Sequence, residues 1–251
     1  MRICLGRHVY GLAAVAYGVI ALVWHWQQIG PLKNIPHAET LIYIAAALQL
    51  FGGVAIQWPG MARAGAIALA AIYLIFALRW VPEIAAKPLV YAGWGNFFEQ
   101  FSMFAGPLMV YASVRRSDLQ PTPRAARIGY ISFGICVISF ALYQLFYLHE
   151  TASLVPKWIP PGPMFWAITT TIAFALAAVA LLSGRYALLA SRLLMAMLMG
   201  FLLLVWLPRL FADPHDLTNW AESAETLAIA GVAWIVADIL SQNRSYLTET
   251  S

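Results

Sequence analysis

The chain has 251 residues, of which 62% are hydrophobic and 10% charged, and its formal net charge is +4. Soluble domains carry roughly 25% charged residues, so this composition excludes an ordinary water-facing surface and reads as an integral membrane protein. The basic residues stand singly or in pairs between apolar runs, a distribution set by membrane topology, and this argues against nucleic acid as the partner behind the positive charge.

A helix that crosses about 30 Å of hydrocarbon needs roughly 20 residues. The opening stretch "MRICLGRHVYGLAAVAYGVIALVW" has the basic start and apolar body of a signal peptide. It lacks a small-x-small cleavage site and runs on into Trp24-His25-Trp26, so it reads as a retained first helix. Apolar runs near 8–27, 39–57, 62–81 and 92–113 give four spans, with a tight-turn signal at Pro59-Gly60. Gly106-Pro107 predicts a kink in the fourth span rather than a break. After the basic stretch "SVRRSDLQPTPRAAR" come runs near 127–148, 164–182, 186–207 and 220–240, with a second turn signal at Ser183-Gly184. The expected fold class is all-α integral membrane with eight transmembrane helices. Cys4 and Cys136 form no Cys-x-x-Cys pair and read as small apolar fillers.

Eight spans place both termini on one side. That side holds Arg2, Arg7, Arg63, Arg115, Arg116, Arg124, Arg127, Arg185, Arg192 and Arg244, against Lys33, Arg79, Lys87, Lys157 and Arg209 on the other. The excess marks the cytoplasmic side of a cell (inner or plasma) membrane, with both termini inside. Glu39, Glu83, Glu99, Glu150, Asp213, Asp216, Glu222 and Glu225 all map to the outer side. Acidic residues do little to set topology, so this crowding calls for another explanation.

A repeat supplies one. A shift of 126 carries Trp80 to Trp206, Pro82 to Pro208, Ala86 to Ala212, Pro88 to Pro214, Trp94 to Trp220 and Glu99 to Glu225. Earlier in each half a shift of 124 carries His25 to His149, Lys33 to Lys157, Ile35 to Ile159 and Pro36 to Pro160. The chain therefore reads as a tandem duplication. A first four-helix repeat covers 1–113, a cytoplasmic linker 114–126, a second repeat 127–241 and a cytoplasmic tail 242–251. An even number of spans per unit makes the repeats parallel, each a four-helix bundle. "GLAAVAYG" and "FALAAVALLSG" are the small-residue faces that let its helices approach closely.

The second half, "TASLVPKWIPPGPMFWAITTTIAFALAAVALLSGR" followed by "WLPRLFADP" and "NWAE", resembles the DoxX/DoxD-like membrane family. The loop "VPKWIPPGPMFW" (155–166) is its most specific element. The resemblance covers 127–240 strongly and 7–113 less so, where Ile35-Pro36-His37 stands in place of Ile-Pro-Pro-Gly. It implies four-helix membrane units and a role like that of the DoxD subunit of thiosulfate:quinone oxidoreductase, which passes electrons to membrane quinone.

Chemistry is expected at the outer ends of the bundles. Glu99 and Glu225 fall about two turns into spans four and eight, where an ionisable group must face the bundle interior and be paired. Asn96 lies three residues before Glu99 and Glu222 three before Glu225, so each pair shares a helix face. The helix dipole alone stabilises such glutamates, and Trp94 and Trp220 also suit an interfacial aromatic belt. His25 and His149, near the outer ends of spans one and five, are either polar tips over apolar bodies or imidazoles hydrogen-bonded to the glutamate of their own bundle. In the second case His149 with Glu225, and His25 with Glu99, form candidate proton acceptors for a quinol. Trp24, Trp26, Tyr147 and Trp158 would supply flat walls. Arg209 is expected to pair with Asp213 or Glu222, and Arg79 with Glu83 or Glu99. Pro82, Pro88, Pro208 and Pro214 should shape a fixed outer loop, and Asp238 reads as a solvated charge. A haem held by His25 and His149 has no second ligand pair to support it, and zinc lacks cysteine ligands and tight histidine spacing.

Three functions follow as expectations. The first is a quinone-associated or electron-transfer-linked membrane subunit. The second is a non-enzymatic scaffold for an oxidoreductase partner subunit. The third is a small-solute transporter, although no mid-membrane charge or paired broken helix marks a central site for one.

Overall fold

In the computed structural model, residues 5–24, 37–113 and 124–249 are described; His25, Trp26, Lys33, Ile35 and Pro36 lie outside them. Every regular element among the described residues is helical: α1 (Leu5–Val23), α2 (Ala38–Ala55), α3 (Ala62–Leu78), α4 (Val81–Ala86), α5 (Tyr91–Ser113) and α6 (Arg124–Phe146). They continue as α7 (Leu148–Leu154), α8 (Pro163–Ser183), α9 (Ala187–Phe201), α10 (Leu207–Ala212) and α11 (Leu217–Glu249). A π-helical turn, Leu202–Trp206, joins α9 to α10.

Seven stretches are long and apolar enough to cross a membrane: α1, α2, Ala62–Ala86, α6, α8, Ala187–Ala212 and Leu217–Gln242. Eight were expected from the sequence. The helix at the remaining position, α5, has 23 residues and continues unbroken through Pro107. It is not among the seven, and its polar positions Asn96, Glu99, Gln100 and Ser102 set it apart from its neighbours. The turn at Ser183-Gly184 forms as expected, with Gly184 in the left-handed region at φ 73°.

Of the four prolines expected to shape a loop, Pro88 and Pro214 lie in turns as expected, whereas Pro82 and Pro208 begin short helices. Pro82 and Pro208 occupy the first turn of α4 and α10, where a missing N–H costs nothing. At the ends of these two helices the Lys87 N–H donates to the Glu83 carbonyl and the Asp213 N–H to the Arg209 carbonyl, each at 2.9 Å. The two contacts stand 126 residues apart.

The long helices close a ring in the order α1, α2, α3, α5, α6, α8, α9, α11 and back to α1, and α5 touches α11 across its middle. This differs from two self-contained four-helix bundles. The main partner of α1 beyond α2 is α11, and that of α6 beyond α8 is α5, so the last long helix of each half lies along the first helix of the other. Small residues set these pairings, because a Cβ on Gly6 would lie 2.4 Å from the Ile235 nitrogen and one on Gly231 would lie 2.7 Å from the Tyr10 nitrogen. Gly129 plays the same part in α6 against Met109 of α5, and Gly106 of α5 faces Val232 of α11. The small-residue face of α1 is buried at Gly11, Ala13, Ala14 and Gly18, and that of α8 at Ala177 and Ala178.

Helix α11 is the interior strut. Of its apolar window, 72% is buried, against 22% for Ala187–Ala212 on the periphery. Asp238 in α11 is not a plain solvated charge, since its Oδ2 accepts the Gly6 N–H at 3.1 Å and ties the two helices at the end opposite the acidic residues. Fully buried Tyr10 donates its hydroxyl to the Met103 carbonyl at 2.7 Å, joining α1 to α5.

Candidate functional site

Three indole–proline bonds fix the end of the molecule where the acidic residues collect. Trp94 Nε1 donates to the Pro88 carbonyl at 3.1 Å, Trp220 Nε1 to the Pro214 carbonyl at 2.9 Å, and Trp166 Nε1 to the Pro160 carbonyl at 3.0 Å. Each reaches back six residues and pins the loop to the start of α5, α11 or α8. Asn219 strengthens the second of these, donating its side-chain amide to the Asp213 and Arg209 carbonyls at 3.1 and 3.4 Å. A net hydrogen bond contributes about 1 kcal/mol. Trp220→Phe is therefore expected to lower stability by about 0.5–1 kcal/mol in detergent unfolding. Trp158→Phe, at a ring 72% exposed, should leave stability unchanged.

Behind this rim lies a cavity of about 460 Å³ between α5, α6, α7, α8, α9 and α11. Asn96, Glu99, Glu222 and Glu225 all line it. The sequence placed these four residues at two separate bundle mouths. The contact of α5 with α11 brings both sets to one place, on the side of the second half. The same cavity is lined by the aromatic side chains of Phe140, Tyr143, Trp166, Phe174, Phe201 and Trp206. Trp206 comes from the π-helical turn and Phe201 stands just before it; π-helical turns often occur at functional sites.

The carboxylates are held unequally. Glu225 accepts the Tyr17 hydroxyl at 2.9 Å and the Gln100 amide at 3.4 and 3.5 Å. The half-buried Glu99 and Glu222 line the cavity, and their carboxylates accept no hydrogen bond from the described residues. All three are within electrostatic reach of one another. No Lys, Arg or His lines the cavity. Gln144 also lines it, its Oε1 accepting the Thr170 and Thr171 hydroxyls at 3.1 Å each.

Several expected partners lie elsewhere. His149 is exposed on α7 and outside the cavity, and Tyr17 and Gln100 take the place at Glu225 that a histidine was expected to fill. The reason is geometric: α7 turns off the end of α6 at Tyr147 and carries His149 outward. His25 lies outside the described residues. Trp94 and Trp220 serve the rim rather than the cavity wall, and Trp158 points away. Arg209 lies 5.7 Å over the Trp206 ring and donates to the Ser153 carbonyl at 3.5 Å, instead of pairing with Asp213 or Glu222. Arg79 sits 4.9 Å over Trp80 and within electrostatic reach of Glu83.

Trp166 was visible within the loop word "VPKWIPPGPMFW", and Gln144, Thr170 and Thr171 were visible as polar residues inside apolar runs, a signal in its own right. Tyr17, on an otherwise small-residue helix, gave no signal. No group of three His, Cys, Asp or Glu side chains among the described residues has the arrangement to hold a metal ion. Compared with protein-family models, curated proteins and solved structures, the chain finds no match in any of the three.

Proposed function

We propose that the protein is an eight-crossing membrane protein of the DoxX/DoxD-like type, duplicated in tandem, and that its cavity binds the ring of a quinol as part of a quinone-linked electron-transfer system. In this reading α5 is the eighth crossing, both termini are cytoplasmic, and the cavity opens toward the outer face of the plasma membrane. The matched indole–proline bonds of Trp94 and Trp220, and the matched ends of α4 and α10, support the duplication.

One observation carries the functional reading: a single cavity lined by both flat aromatic side chains and carboxylates. A quinol ring stacks on aromatic faces, and its hydroxyls donate hydrogen bonds that carboxylates accept. A carboxylate at that position also takes a proton when the quinol is oxidised by a partner. Glu99 and Glu222, with no partners of their own, are the natural acceptors; Glu225 is anchored between Tyr17 and Gln100.

Titration of the protein in nanodiscs with a water-soluble ubiquinol analogue tests this. Glu99→Ala is expected to weaken binding by about tenfold or more, the size of a lost charge-assisted hydrogen bond. His149→Ala, outside the cavity, should leave affinity within about twofold. The quinol reading is wrong if the unaltered protein binds no analogue.

An accessory docking role rests on a separate observation. Leu89 is 99% exposed and Phe211 80% exposed, and both stand beside the outer acidic loops. Crosslinking from these positions in native membranes would capture an oxidoreductase subunit if they dock one.

A further inference from the structure

The cavity holds more carboxyl groups than a neutral ring requires. Three carboxyl groups face one space within electrostatic reach of one another, and two of them, Glu99 and Glu222, have no hydrogen-bond partner among the described residues. In a site walled by protein and lipid, such groups repel one another when ionised, and each unpaired one is costly. Nothing in the lining offsets them. The basic residue nearest in sequence, Arg209, is committed to the Trp206 ring and the Ser153 carbonyl.

The aromatic part of the lining narrows what could pair with the carboxyl groups. Phe140, Tyr143, Trp166, Phe174 and Phe201 present aromatic surface, which attracts cations and excludes a strongly hydrated ion. A metal ion is a poor match, since the three acidic side chains lack the arrangement to ligate one. An organic ammonium suits both kinds of lining residue at once. Its charge sits among the carboxylates, and its apolar body lies against the rings.

We propose that the cavity binds lipophilic organic ammonium ions, with the cationic head between Glu99, Glu222 and Glu225 and the hydrocarbon portion against the aromatic side chains. This uses the cavity of the quinol reading but does not depend on quinol chemistry. The two ligands would occupy the same space and exclude one another.

An isosteric pair isolates the charge. Benzyltrimethylammonium and its neutral carbon analogue neopentylbenzene have nearly the same shape. Each is titrated into nanodiscs holding the whole protein, with uptake by empty nanodiscs subtracted. The ammonium is expected to bind at least about tenfold more tightly than the neutral probe, and E99Q/E222Q/E225Q should abolish that preference. Glu99→Gln alone, which removes a carboxylate engaged in no hydrogen bond, serves as a second variant if the triple one does not fold. It should reduce the preference by about threefold or more. Equal binding of the two probes, or a preference that survives the carboxylate substitutions, overturns the proposal. Quinol binding without an ammonium preference would overturn this proposal and leave the quinol reading standing. An ammonium preference without quinol binding would do the reverse.

Discussion

Gly200→Phe is expected to abolish ligand binding, by about 100-fold or more, while leaving the fold as stable as before or more so. Gly200 lies in α9 and lines the cavity, and a Cβ built on it meets no atom within 4 Å. A side chain there enters open space rather than a neighbour. A glycine inside a helix also costs about 0.5–1 kcal/mol relative to alanine, so any replacement that fits its surroundings recovers part of that. The benzyl group would lie where the ligand's ring is expected to stack. Titration with a quinol analogue and with benzyltrimethylammonium, alongside thermal unfolding, reads both effects. Undiminished binding of both probes in a folded Gly200→Phe protein would remove the cavity from consideration as the site.

Gly6→Leu should act on stability with comparable force. The Cβ would stand 2.4 Å from the Ile235 nitrogen and 2.6 Å from the Trp234 carbonyl carbon, and these are backbone atoms of a helix that cannot turn aside. Helices α1 and α11 would have to separate, which also stretches the bond from the Gly6 N–H to Asp238. Overpacking of this kind costs about 3 kcal/mol at its upper range, enough to lower the folded-to-unfolded ratio roughly a hundredfold. Gly60→Ala, where a Cβ meets nothing within 4 Å, is the matched control and should be neutral. The yield of monodisperse protein and its unfolding temperature in detergent compare the two.

The spans were legible because lipid imposes one requirement, about 20 apolar residues, and the chain meets it in long unbroken runs. Where it was misread, two signals competed. Pro82 and Pro208 suggested a loop, yet proline in the first turn of a helix is favourable, and each begins a short helix. In α5, Asn96 and Glu99, which line the cavity, are among the residues that dilute its apolar character, and α5 is not among the seven stretches apolar enough to cross a membrane.

The site was half legible. Glu99 and Glu225 stood out by their matched positions, but matched positions do not say which helices pack together. Two mouths were expected because each half was pictured closing on itself. The ring closes instead between halves, and both carboxylate sets meet. Tyr17 and Glu225 are 208 residues apart, and no local pattern could join them. Only the depth to which glycines allow α1 and α11 to approach brings that hydroxyl within reach.

The seam between α1 and α11 has a consequence for how the molecule is made. Gly6 and Asp238, which it joins, are separated by 232 residues, so during translation the earlier helix enters the bilayer long before its chief companion exists. Contacts this distant along the chain form late, and until then the glycine-rich flank of α1 faces lipid or a membrane chaperone. A ribosome that stalls before α11 would leave every other helix threaded but the circle open. Such products should be cleared by membrane proteases, and the arrival of α11 becomes the checkpoint for closing the circle.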